Sequence, residues 1–191
     1  HARPLAHYFR QNFSQVTNPP IDPLREAGAM SLKTRFKNLG NILAEEEAQT
    51  NVFVLDSPVL TTGMYERMLD LVGGGAVAVI DCAYPRPSTG DTRGAGLRAA
   101  LDRICNEAEA AARDGVGLIV LTDEHSQTDR IAAPMILAVA AVHGQLTRTG
   151  LRPFVSIVVR SAEALDPHGF AVLIGAGATA VNAWLAQEIF Q

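Results

Sequence analysis

L-R-A-A-L-D-R-I-C-N-E-A-E-A-A-A-R-D-G-V-G-L-I-V-L-T-D, Leu97 to Asp123, decides the fold class. Its first part has a helical period, with Leu97, Leu101, Ile104, Cys105, Ala108 and Ala112 on one stripe. Arg98, Asp102, Glu109 and Arg113 lie largely off that stripe, and Glu109 precedes Arg113 in the favourable order for a helical ion pair. Leu118 to Leu121 then forms an unbroken apolar run ending at Thr122-Asp123. A strand with no polar alternation is one covered on both faces. Helix followed by covered strand is the repeating unit of a parallel α/β fold.

The same rhythm extends to either side. Val52 to Leu55 is an apolar run ending at Asp56, and Thr62 to Leu71 reads as a helix with Met64, Met68 and Leu71 on one face. After a break at Gly73, Gly74 and Gly75, Ala76 to Ile80 is a second run ending at Asp81. Pro85 to Gly96 is a polar loop. Ile131 to Leu146 is a mostly apolar helix that admits Pro134 only in its first turn. Phe154 to Val159 ends at Arg160-Ser161. Asp166 and Pro167 have the residue types of an N-cap and first helical position. Their helix stops at Gly175-Ala176-Gly177, before a short run from Thr179 to Val181 and a last helix from Ala183 to Phe190. The expected fold is therefore α/β, with alternating βα units on a parallel sheet. An open doubly wound sheet and an incomplete (β/α) barrel both fit, since a closed barrel typically needs about 250 residues. Leu101, Ile104, Ile119, Val120, Ile157 and Val158 are expected to form one core.

Residues 1–50 lack this rhythm and divide from residues 51–191 as an N-terminal appendage with a proline-rich loop. Leu5 to Phe13 and Leu24 to Met30 suit short helices, whereas Ser31 to Leu43 fits helix or strand. The appendage is expected to pack outside the βα part, with Glu45 to Thr50 as the join.

With 191 residues the chain can bury a sizeable core. It is 48% hydrophobic and 19% charged, a globular balance. The formal charge of −4 offers no basic footprint for nucleic acid. The longest apolar run, near Ile131 to Val142, is too short to span a membrane. Cys82 and Cys105 belong to no C-x-x-C pair and sit in apolar segments, so buried reduced thiols and a cytoplasmic location are expected. The chain begins at His1, which reads as a piece of a longer polypeptide.

Polar residues collect after the strands: Asp56-Ser57, Asp81-Cys82, Asp123-Glu124-His125, Arg160-Ser161 and Asn182. Ligands of parallel α/β folds bind at such ends. Asp123, Glu124 and His125 could supply an acid–base site of an independent enzyme, but strand-to-helix turns also favour such residues as caps. No second His stands at ligand spacing for a metal. Gly175-Ala176-Gly177 follows a helix and precedes a strand, the reverse of a dinucleotide fingerprint, and reads as a helix stop. His168 reads as a first-turn residue and His143 as a packing histidine.

Q-V-T-N-P-P-I-D-P-L-R-E, Gln15 to Glu26, stands apart. Pro19, Pro20 and Pro23 each remove a backbone donor, fix φ and restrict the preceding residue, so a stiff extended loop is expected. With its flanks, Phe9 to Glu26, the segment resembles a signature of glutamate synthase, specifically the central domain of the large (alpha) subunit of the bacterial NADPH-dependent enzyme. Ile119 to Asp123 and Asp166 to Val181 resemble the same domain, and the resemblance is collinear over nearly the whole chain. It implies a barrel-like α/β domain joining the glutaminase domain to the FMN-binding synthase domain of one polypeptide. It also implies that Thr17, Asn18, Pro19, Pro20 and Ile21 help line an interdomain ammonia tunnel. The parent enzyme makes L-glutamate from L-glutamine and 2-oxoglutarate. The resemblance places its FMN and iron–sulfur cluster in other parts of the large subunit, and FAD and NADPH on a small (beta) partner subunit. On this basis no catalytic, cofactor-binding or metal residue is expected within the chain, and the fragment alone is expected not to be catalytic.

Overall fold

The computed structural model describes residues 3–10, 23–38, 40–41, 43–73, 75–87 and 94–189. Thr17, Asn18, Pro19, Pro20 and Ile21 lie outside the described residues. A 3₁₀ turn, Leu5–Phe9, precedes helix α1 (Pro23–Ala29), which matches the short helix expected from Leu24 to Met30 and takes in Pro23, the last proline of the expected loop. Proline suits that first position, where its missing N–H has no helical partner. Strand β1 (Thr34–Phe36) pairs antiparallel with β2 (Phe53–Leu55). The main repeat then runs β3 (Val59–Leu60), α2 (Thr62–Val72), β4 (Val77–Asp81), β5 (Ala83–Pro85), α3 (Ala95–Arg113), β6 (Leu118–Thr122) and β7 (Arg130–Ala132). It continues with α4 (Met135–Arg148), β8 (Ser156–Arg160), α5 (Pro167–Gly175), β9 (Ala180–Asn182) and α6 (Trp184–Ile189).

The expected parallel sheet is present, with five strands in the order β3-β9-β8-β6-β4. Its membership differs at one strand. The run at 52–55 is not in the sheet, because Phe53 pairs with Phe36 and their rings stack at 5.2 Å. The two-residue β3 takes its place beside β9. The helix expected from Ile131 also begins later. Arg130–Ala132 forms an antiparallel ribbon with β5, and Pro134 caps α4 from outside. Two helix starts match their residue types: the Thr61 hydroxyl accepts from Met64 N–H at 3.2 Å, and Asp166 Oδ1 accepts from Gly169 N–H at 2.7 Å.

The strand order is that of a barrel opened between β3 and β4. From β4 each strand neighbours the next, and β9 returns to β3. Among the described residues β3 and β4 do not pair. Helices α3, α4 and α5 all pack on one face of the sheet, through Ile104, Ala108, Val139, Val142 and Leu173 against Ile119, Leu121, Ile157, Val159 and Val181. Leu118, Val120, Val158 and Ala180 point the other way, where Tyr65 and Met68 of α2 and Phe36 cover them. In a closed barrel that second face would be the interior. Here a helix occupies it, so the sheet stays open.

The single expected core is therefore two, divided by the sheet. Side chains alternate along a strand, so Val120 and Val158 face away from Ile119 and Ile157. Leu101 packs at the margin of the larger core, while Ile104 is fully buried within it. Phe36, from the first fifty residues, is 1% exposed and belongs to the smaller core.

Candidate functional site

Parallel pairing brings the carboxyl ends of β3, β4, β6, β8 and β9 to one end of the molecule. Their last residues are Leu60, Asp81, Thr122, Arg160 and Asn182. Arg160, 8% exposed, is the hub. Its Nε and Nη2 donate to Glu124 Oε2 and Oε1 at 2.8 and 3.0 Å, a two-point pair. Its Nη1 donates to Asn182 Oδ1 at 2.9 Å, and its guanidinium carbon lies 4.8 Å from the centre of the Tyr65 ring. Asn182 Nδ2 and Gln187 Nε2 both donate to Leu60 C=O at 3.0 Å, tying β3 to β9 and α6.

Asp123 forms a second knot. It is buried, and its carboxylate accepts from the Ser161 hydroxyl at 2.9 Å, from Ala162 N–H at 2.8 Å and from Trp184 Nε1 at 2.8 Å. Three elements, β6, the turn after β8 and α6, are fixed to each other through one side chain. At the sheet edge, Asp81 Oδ2 pairs with Arg130 Nη2 at 2.6 Å and Oδ1 accepts from Ala83 N–H at 2.8 Å.

These contacts decide the chemistry. The hydrogen bonds from Arg160 hold Glu124 below the usual carboxylate range, and Glu124 in turn raises Arg160. Glu124 is thus a poor proton donor near neutrality. Asp123 has its oxygens occupied by donors and no open face for a substrate. His125 is exposed, and its charge adds only a lesser lowering of Glu124 beside the hydrogen bonds from Arg160. The structure brings Asp123 and Glu124 to one end of the sheet but does not assemble the three residues into an acid–base site. Burial, with lesser contributions from Asp123 and Asp81, pushes the Cys82 thiol up to about 12, so no thiolate is available there. Cys105 is raised by burial as well. Among the described residues no buried side-chain nitrogen or oxygen lacks a partner, and no group of three potential ligands could hold a metal.

Asp56 and Ser57 fall outside the cluster because β2 left the sheet. The Gly175-Ala176-Gly177 run does not fit a flavin or nucleotide phosphate. A Cβ on Gly177, whose φ is +123°, would stand 2.5 Å from the ring of His143. The Gly177 carbonyl already accepts from Arg152 Nη2 at 3.0 Å, and Arg152 Nε donates to His143 Nδ1 at 3.1 Å. His168 Nε2 binds the Ala6 carbonyl at 2.8 Å and anchors the N-terminal turn on α5. A groove of about 830 Å³ lies between that turn, α4 and α5, with Ile136, Leu137 and Val172 in its wall and none of the network residues. Sequence reasoning did not single out the roles of Tyr65, Trp184 and Gln187. Trp184 is the chain's only tryptophan, placed where the last helix begins, and that was the one available signal.

A family model described as the glutamate synthase central domain matches residues 1–191. The chain belongs to that family. The NADPH glutamate synthase large chain of Azospirillum brasilense is 56% identical over 97% of this glutamate synthase central domain. The ferredoxin-dependent chloroplastic glutamate synthase of Spinacia oleracea is 40% identical over 96% of it, and the NADH glutamate synthase of Schizosaccharomyces pombe 39% over 97%. The central domain spans only 12%, 11% and 9% of those proteins' own lengths. In this chain the network of Arg160, Glu124, Asp123 and Trp184 ties β6, β8, β9 and α6 together at one end of the sheet.

Proposed function

We propose that this chain is a non-catalytic connector in the large chain of a glutamate synthase. In this reading it joins a glutaminase domain to an FMN-binding synthase domain, and Thr17, Asn18, Pro19, Pro20 and Ile21 line the ammonia route between them. The observation that carries the reading is the closed polar network at the strand ends. Where a parallel α/β enzyme would present open acids, Asp123 and Glu124 are tied to the protein's own donors. The relatives add support. Their names give three different reductants, NADPH, ferredoxin and NADH, so a role shared by this domain is one independent of the electron source.

A conduit for ammonia must keep out water, which would protonate and disperse it. A proline-rich wall has few free backbone donors and a locally set shape. FMN, an iron–sulfur cluster, and the FAD and NADPH of a small subunit would then supply redox chemistry elsewhere in the enzyme. The test uses the full-length enzyme with Asn18→Ala or Pro20→Gly. The flavin spectrum should be unchanged, and amination with external ammonia should survive. Glutamine consumed per NADPH oxidised should rise, because ammonia leaks or hydrolysis runs unprompted. An unchanged ratio in both variants would reduce the loop to a spacer.

A further inference from the structure

One row of side chains runs across the sheet on the face that α2 covers: Val79, Val120, Val158 and Ala180, in register on β4, β6, β8 and β9. The last three are 0% exposed, whereas Val79 is 52% exposed. Cover stops one strand short of the edge. The backbone of β4 is open there as well. Cys82 N–H donates to Thr122 C=O, towards β6. Because a strand's backbone groups alternate in direction, the N–H and C=O of Val77 and Val79 point away from β6. Among the described residues no strand pairs with that side. Soluble proteins blunt such edges with lysine, proline, a bulge or a very short strand. β4 itself reads V-A-V-I-D: Asp81 at its end is charged and its C=O accepts from Arg103 Nη2 at 2.7 Å, while Val77 to Ile80 carry none of these devices.

We propose that the free edge of β4 receives a strand from the same parent polypeptide, from outside residues 1–191. The inference rests on reading the chain as one domain of a longer polypeptide. Two features select this occupant. A helix could cover Val79 but could not satisfy the outward N–H and C=O groups, which an extended backbone about 4.8 Å away does. The chain is 12% of the length of the Azospirillum brasilense relative, so most of such a polypeptide lies outside it and is tethered nearby.

The test is made on the full-length holoenzyme. Site-resolved hydrogen exchange should show the amides of Val77 and Val79 protected as well as those of Ala78 and Ile80. Val79→Cys should react with maleimide at least ~10-fold more slowly in the native enzyme than after denaturation, as expected of a closed segment. A diazirine-bearing aliphatic residue introduced at position 79 should cross-link to a peptide of the same polypeptide outside residues 1–191. Fast exchange confined to Val77 and Val79 with rapid thiol labelling would overturn the proposal. So would a cross-link within residues 1–191, to a second copy, or to a separate subunit. None of these readouts involves glutamine coupling, so this inference and the tunnel reading can fail independently.

Discussion

Arg160 shows how one residue gives an end of the sheet its character. It sits at the end of β8, where its side chain reaches Glu124 after β6, Asn182 at the end of β9 and the ring of Tyr65 on α2. Arg160→Met keeps much of the apolar stem but leaves Glu124 and the Asn182 side-chain Oδ1 without their donor. Breaking a buried pair costs about 3–5 kcal/mol. Glu124 is 39% exposed and solvent screens it, so the loss should fall at or below the low end of that range. Urea unfolding of variant and parent measures it. The pH dependence has a definite sign. Because Glu124 is lowered in the fold, its contribution is present above an unfolded carboxylate value of about 4.3 and disappears as pH falls through the folded value. Arg160→Met should therefore show a shallower acid limb than the parent, and an identical limb would mean that the pair adds no pH-dependent stability.

At the scale of the element, α3 separates what a helical stripe predicts from what packing selects. Its stripe was read from spacing alone as Leu97 to Arg113, and the helix spans Ala95–Arg113, starting two residues earlier. Not every member of the stripe is equally buried. Ile104 is 0% exposed in the centre of the larger core, whereas Leu101 packs at its margin. Ile104→Ala should cost about 2–5 kcal/mol, and Leu101→Ala distinctly less, because its side chain keeps contact with water and leaves a smaller void. Denaturant midpoints for the two variants, compared at constant slope, give the order. A reversed order would show that the sheet contacts α3 one turn away from where the structure has it.

For the whole molecule, the open sheet carries two cores that share the same strands. Ile119 and Val120 are neighbours in β6 but serve opposite cores, as do Ile157 and Val158 in β8. Loss of one core should be felt by the other. Phe36 is the sharpest probe, since it lies among the first fifty residues yet is buried against the sheet and stacked on Phe53. Phe36→Ala should lower global stability by about 3–5 kcal/mol. Far-UV and tryptophan signals should lose their cooperative transition together. A loss under about 1 kcal/mol would mark the β1–β2 ribbon as peripheral to folding.

The sequence by itself determined what depends on near neighbours along the chain. Periodicity located α2, α3 and β6, and residue type placed the cap of α5 at Asp166 and its stop at the Gly-Ala-Gly run. These rest on local sterics and local hydrogen bonds, which spacing encodes. The polar cluster at the strand ends was legible as a location, because βα alternation alone sends every strand's carboxyl end the same way. Only the tertiary structure decided partners. Phe36 drew the run at 52–55 out of the sheet, α2 took the face that a closed barrel would enclose, and Arg130–Ala132 paired with β5 instead of starting a helix. Asp123 and Glu124 became a framework and not an acid–base pair because Trp184, Ser161 and Arg160 arrive from residues 36 to 61 positions away. Hydrogen-bond partners at that separation are set by packing of the whole chain, and no window of sequence contains both ends.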